Sequence, residues 1–241
     1  MEPPGQDHTI AIHATDKDSN ARRFLAMVFL WMFTGLAVTS ACIYAFNTYD
    51  YCMRLISNSN GFTGLLWLAL IGPFVVSFII RRGINAISFF GLGILFILYA
   101  ALIGVCFSFI LLDFVDASLF GIFLTACLVF GAMAVAGYAT KIDLTQFKPI
   151  SYMLLGGLVI VTLIVFIFSD FDLTLVDGII GVIIFLGISA FHFQGIKETG
   201  AAIDLNDPSA KKMALLNALT MYVDFVNLFF FIIAIFFNRK R

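Results

Sequence analysis

Charge is scarce in this chain. Asp, Glu, Lys and Arg together make up 12% of its 241 residues, against about 25% in a soluble domain. That leaves too few for the water-facing shell of a separate soluble domain. Cysteine is also sparse. Cys42, Cys52, Cys106 and Cys127 are scattered, mostly through apolar sequence and without a CxxC spacing. Neither a zinc site nor a disulfide framework is indicated, and the four read as packing residues. Hydrolase signatures are missing: there is no GxSxG, no HExxH and no glycine-rich phosphate loop. The few ionisable residues at depth include no nucleophile with a base, so the chain is not expected to be an enzyme. No cofactor and no nucleic-acid partner is expected. The first twenty residues are polar and lack an apolar core behind a basic start. They read as a flexible tail, residues 1–21, rather than a signal peptide, with His8 and His13 solvated in it.

Apolar residues are abundant, at 61% of the chain, with 29 Phe. This is the composition of an integral membrane protein. A hydrocarbon core of ~30 Å needs about 20 helical residues per crossing. Seven stretches meet that length: Phe24 to Phe46, Phe62 to Ile80, Ile87 to Leu112, Ser118 to Tyr138, Ile150 to Phe168, Leu175 to Gln194, and Leu215 to Phe237. The connections are short, which makes successive helices antiparallel neighbours. The expected fold is therefore an all-α integral membrane protein, a seven-transmembrane-helix bundle over residues 22–241. It is expected to act as a monomer in the lipid bilayer.

Orientation follows the distribution of Lys and Arg beside the spans. Lys17, Arg22, Arg23, Arg81, Arg82, Lys141, Lys148, Lys197, Lys211 and Lys212 fall on one side if there are seven spans. That side is expected to be the cytoplasm, with the N-terminus inside. The other side carries Arg54, the terminal Arg239, Lys240 and Arg241, and the acidic positions Asp113, Asp116, Asp170, Asp172 and Asp177. These acids read as solvated loop residues or as attractors of cations to a pore mouth. The terminal basic cluster is the one conflict with seven spans, and a re-entrant last segment would resolve it. In the third span Ala100, Gly104 and Ser108 recur every fourth residue, a narrow groove in which another helix can approach closely.

Near the middle of the last span sits Asp224, with apolar-rich sequence on both sides. A carboxylate at bilayer depth costs at least ~2.5 kcal/mol on insertion scales, and such residues usually face protein or a water-filled cavity. Asn217, Thr220, Asp224 and Asn227 recur at spacings of three and four, so they form one polar seam on an otherwise apolar helix. Asp224 is either a neutral acid hydrogen-bonded within the bundle or a functional group. His192, near the end of the sixth span, is either an interfacial residue or the partner of Asp224. Depth argues against direct pairing. Asp224 lies ~13–15 Å into its helix from Leu215, whereas His192 lies nearer the end of its own. Contact would then need a later helix start, or would run through Asn217, Thr220 or water.

Several segments resemble the Bax inhibitor family, also called the transmembrane Bax inhibitor motif family. ALTMYVDFVNLFFFI in the last span is similar to its closing pattern, an aromatic, Leu or Val, Asp-Phe, then Asn-Leu-Phe. GYATKIDLTQF at Gly137–Phe147 resembles its Gly-Tyr-Thr-Thr-Lys-x-Asp-Leu motif. FILYAALIGVCFSFIL at Phe96–Leu111 is similar to its third-helix pattern, and IIRRGINAIS to its basic link between second and third helices. The resemblance runs from Arg22 to Asn238. It implies a bundle with the last helix central. Bacterial relatives behave as pH-sensitive calcium leak channels in which aspartates on the sixth and seventh helices share a proton. An arginine ending the second helix competes for one of them. Asp224 matches the seventh-helix aspartate, and Arg81 or Arg82 lies where the arginine belongs. His192, in Phe191-His192-Phe193-Gln194, stands where the sixth-helix aspartate is usual. An imidazole there removes one carboxylate from a calcium site, and calcium prefers several oxygen ligands.

Two functional readings follow. One is a pH-modulated calcium, or general cation, leak channel gated by Asp224, His192 and Arg81 or Arg82, with Asp224 as a calcium contact. The other is a non-conducting regulator that binds other membrane proteins, such as a membrane protease or the cell-death machinery. From the short tail and the lack of a glycosylation-rich outer loop, the expected location is a bacterial inner membrane, with an endomembrane as the alternative.

Overall fold

The computed structural model describes residues 6–49, 52, 54–55, 57–58, 61–111, 118–140, 143–147, 149–150, 152–154, 156–157 and 175–238. Six helices order the described chain: α1 (Gln6–Thr48), α2 (Gly64–Gly83), α3 (Phe89–Ile110), α4 (Ser118–Ala139), α5 (Leu175–Ala202) and α6 (Pro208–Asn238). Each includes a segment long and apolar enough to cross a membrane. The chain is an all-α, multi-pass membrane protein of the seven-helix type. The expected fifth span, Ile150 to Phe168, lies largely outside the described residues, so α5 and α6 are the sixth and seventh expected spans. The side chains of His8, His13, Lys17 and Asp177 also lie outside them, as do Lys141, Lys148, Asp113, Asp116, Asp170, Asp172, Arg239, Lys240 and Arg241.

Two helices begin before their expected apolar stretches. Residues read as a polar tail are helical from Gln6 onward, although the apolar part of α1 able to cross a membrane starts at Ser19. α6 starts at Pro208 rather than Leu215. Pro at the first helical position is pre-set for the helix and needs no N–H there. The preceding Asp207 accepts a 2.8 Å bond from the Ser209 N–H, the usual geometry of an N-cap. α5 likewise continues past Gln194 to Ala202. Apolar composition marks the hydrocarbon, not the end of the helix. Ser57–Asn58 (β1) and Gly61–Phe62 (β2) form one small antiparallel pair, with Ser57 opposite Phe62 and Asn58 opposite Gly61.

The chain forms two compact units, Met1–Asp116 with Gly200–Tyr222, and Ala117–Thr199 with Val223–Arg241. In the first, α1 lies in the small-residue groove of α3. A Cβ on Gly104 would meet the Cys42 Cβ at 2.6 Å and the Thr39 carbonyl oxygen at 2.9 Å. Thr39 Oγ1 donates to the Ala100 carbonyl at 2.9 Å and lies 2.5 Å from the Tyr222 hydroxyl. The fully buried Tyr222 packs edge-on against Phe96 and Tyr99. In the second unit α4, α5 and α6 meet through aromatic rings. Phe130 packs against Phe193 and Phe225, with centroids 5.3 and 5.4 Å away, and Phe185 stacks on Phe231. Within each unit α6 is the helix the others meet, and it is the most buried of the six spans.

Candidate functional site

The second unit brings the two expected titratable groups into direct contact. His192 Nδ1 lies 2.6 Å from Asp224 Oδ2. The Asp224 side chain is 4% exposed and that of His192 17%. α5 runs on to Ala202, and α6 starts at Pro208, earlier rather than later than expected. Depth counted from the ends of the apolar stretches therefore does not decide the matter, and the two side chains meet without intermediaries. A protonated imidazole and an ionised carboxylate at this separation form a charge-assisted hydrogen bond, about twice as strong as a neutral one. Losing the proton on the imidazole, or gaining one on the carboxyl, removes the ionic part.

The remaining seam residues separate. Asn227 Nδ2 donates to the Val223 carbonyl within α6 at 2.8 Å, and Thr220 Oγ1 donates to the Leu216 carbonyl at 3.2 Å. Asn217 Nδ2 is buried and has no hydrogen-bond partner among the described residues. In the first unit the two arginines ending α2 take different roles. Arg81 donates to Thr220 Oγ1 at 3.4 Å, while the Arg82 guanidinium lies over the Phe78 ring at 5.6 Å. Thr220 precedes Asp224 by one turn of α6. Among the described residues no group of three or more His, Cys, Asp or Glu side chains is placed to hold a metal ion.

Sequence reasoning missed a second polar cluster beside the pair. Lys197 Nζ donates to the Tyr138 carbonyl at 2.6 Å and lies 4.5 Å over the same residue's ring. The Leu144 N–H donates to Gln194 Oε1 at 2.8 Å, which fixes the 3₁₀ turn Leu144–Phe147 to α5. A Cβ on Gly137 would meet the Ala190 carbonyl oxygen at 2.6 Å and the Phe193 Cβ at 2.9 Å, so α4 touches α5 beside His192. The available signal was the spacing of Ala190, Phe193, Gln194 and Lys197, which is that of one helix face.

Together the fold and this site define a multi-pass membrane protein whose spans enclose a paired acid and histidine. The chain belongs to the family described as "Inhibitor of apoptosis-promoting Bax1", which matches residues 21–241. Among its relatives, "Inner membrane protein YbhL" of Escherichia coli is 36% identical over 219 residues, 90% of this chain and 92% of that protein. "Uncharacterized protein RP147" of Rickettsia prowazekii is 28% identical over 97% of this chain and 99% of its own length. An uncharacterized protein of Borreliella burgdorferi is 31% identical over 91% and 93%.

Proposed function

We propose that this chain is a pH-modulated leak pathway for calcium or other cations, gated where His192 meets Asp224. The observation that carries the reading is the 2.6 Å contact between these side chains within spans that otherwise hold almost no charge. A buried carboxylate inside a membrane helix is a functional group by default, and here its partner is an imidazole, which can hold or release a proton. The family resemblance assigns the competing arginine to Arg81 or Arg82 at the end of α2, where Arg81 donates to Thr220 and Arg82 lies over Phe78. Asp224 offers calcium a passing contact rather than a resident site, since calcium seeks six to eight oxygens. The inner-membrane name of the Escherichia coli relative supports the same location here. The basic residues beside the spans support an N-terminus in the cytoplasm, and labelling a cysteine at position 211 from outside, but not one at 172, would reverse that topology.

The family's description as an inhibitor of an apoptosis-promoting factor favours a second reading, a non-conducting regulator of other membrane proteins. Flux of calcium and of monovalent cations into proteoliposomes containing only the purified protein separates the two. Flux that persists without any partner and changes in Asp224→Asn supports the leak. No flux at any pH leaves the regulator.

A further inference from the structure

We propose that Lys197 and Gln194 are positioning residues that set the rotation of α5, and through it the aim of His192 at Asp224. The proposal rests on the His192–Asp224 pair being the gate. α5 presents two faces in this unit. Ala190, Phe193, Gln194 and Lys197, at spacings of i, i+3, i+4 and i+7, face α4 and the segment after it. Phe185 and His192, two turns apart, face α6. One residue of a helix subtends ~100°, so a small rotation of α5 swings His192 off the carboxylate.

Each contact on the α4 face is of a kind that fixes rotation. Lys197 reaches the carbonyl of Tyr138 in the last turn of α4, where carbonyls lack helical partners and the dipole favours a cation. The same ammonium sits over the Tyr138 ring, so one residue is held by two independent attractions. Gln194 is buried and accepts the Leu144 N–H. Between these anchors Gly137 lets the α4 backbone approach Ala190 and Phe193 without an intervening side chain. Phe130 then ties both sides of the gate together. Its ring packs edge-on against Phe193, next to His192, and against Phe225, next to Asp224. Pair and clamp are therefore one mechanical unit. The last turn of α4 thus acts on the gate through Lys197, and the 3₁₀ turn Leu144–Phe147 acts on it through Gln194.

The test reads the aim of α5 directly. The four native cysteines are replaced by alanine, and cysteines are placed by His192→Cys and Asp224→Cys. The purified full-length protein is treated in detergent with a short bis-methanethiosulfonate reagent, and the cross-linked fraction is measured by mass spectrometry. Lys197→Met in this background is expected to lower the fraction several-fold while the protein stays monodisperse, and Lys197→Arg, which keeps charge and ring contact, is expected to restore it. An unchanged fraction in Lys197→Met overturns the proposal, as does a loss in Lys197→Arg equal to that in Lys197→Met. If Lys197→Met does not fold, Gln194→Leu is read by the same criterion. Failure of the parent pair to cross-link also overturns it, because there is then no contact to position. Conduction does not enter this measurement. A Lys197-sensitive cross-link in a protein that carries no flux would retain the positioning role and remove the leak.

Discussion

The Asp224 carboxylate is less accessible than the His192 imidazole it touches, at 4% against 17% of the side chain. Loss of either partner therefore has unequal consequences. Removing one member of a buried ion pair costs about 3–5 kcal/mol because the other charge is left uncompensated. Asp224 can relieve that cost by taking up a proton, so we expect His192→Ala to fall at or below the lower end of that range. Asp224→Asn keeps volume and hydrogen-bonding capacity, and we expect a loss nearer 1–3 kcal/mol, the cost of an imperfectly satisfied buried group. Thermal unfolding in detergent measures both. A loss within ~0.5 kcal/mol for His192→Ala, the level of an ordinary surface substitution, would mean that the contact adds nothing to the fold.

The same pair dictates a pH response of a particular shape. Two carboxylates repel when both are ionised and are held together by one shared proton. An imidazolium and a carboxylate attract, and that attraction needs the imidazole protonated and the carboxyl ionised. Raising the pH removes the imidazole proton, and strong acid neutralises Asp224, so either excursion loosens the contact. We expect a minimum of flux at intermediate pH in proteoliposomes. His192→Ala should abolish the alkaline limb only. His192→Asp should convert the profile to that of a shared-proton pair and strengthen its calcium dependence. Identical profiles in wild type and both variants would make His192 a bystander.

Much of this architecture is legible in the sequence, and the misses have physical causes. The fourth span was bounded to within a residue because apolar composition and helix end together there. The Ala100, Gly104 and Ser108 groove was readable because small residues at a spacing of four have one common use in membranes. α5 and α6 both continue into polar sequence, so apolar composition misplaces their ends, and a depth counted from those ends is no guide to whether His192 meets Asp224. The Lys197 clamp was not visible. A lysine beside a span is first counted as an orientation signal, and its partner is the backbone of Tyr138, which leaves no side-chain pattern to read. The bond between Thr39 and Tyr222 was hidden likewise, as nothing in the spacing links α1 to α6.

Gly104 offers a test of packing away from the gate. A methyl group there meets a Cβ at 2.6 Å and a carbonyl oxygen at 2.9 Å, and backbone cannot give way as a flexible side chain can. Overpacking of this kind typically costs about 1–3 kcal/mol. We expect Gly104→Ala to destabilise by that amount, and Gly131→Ala, where a Cβ meets nothing within 4 Å, to be neutral or slightly stabilising. Denaturation curves for the two variants in the same detergent decide the matter. Equal stability would show that α1 shifts freely along the groove.

The start of α6 gives a prediction whose pH dependence has a definite sign. The Asp207 carboxyl is held below its usual range by the backbone N–H of Ser209 and by that residue's side chain. A group whose folded-state pKa is depressed adds stability above the range in which it titrates when unfolded, and that contribution is lost as the pH falls through its folded value. The cap also anchors the turn in which the Ala210 N–H donates to the Asp207 carbonyl at 3.0 Å. We therefore expect Asp207→Ala to speed hydrogen exchange at the Ser209 and Ala210 amides at neutral pH, with the difference from wild type shrinking once the carboxyl is protonated in acid. Asp207→Ser, which keeps an acceptor without the charge, should retain part of the protection and lose the pH dependence. A difference of the same size in acid as at neutral pH would show that the aspartate side chain holds this helix start without its charge.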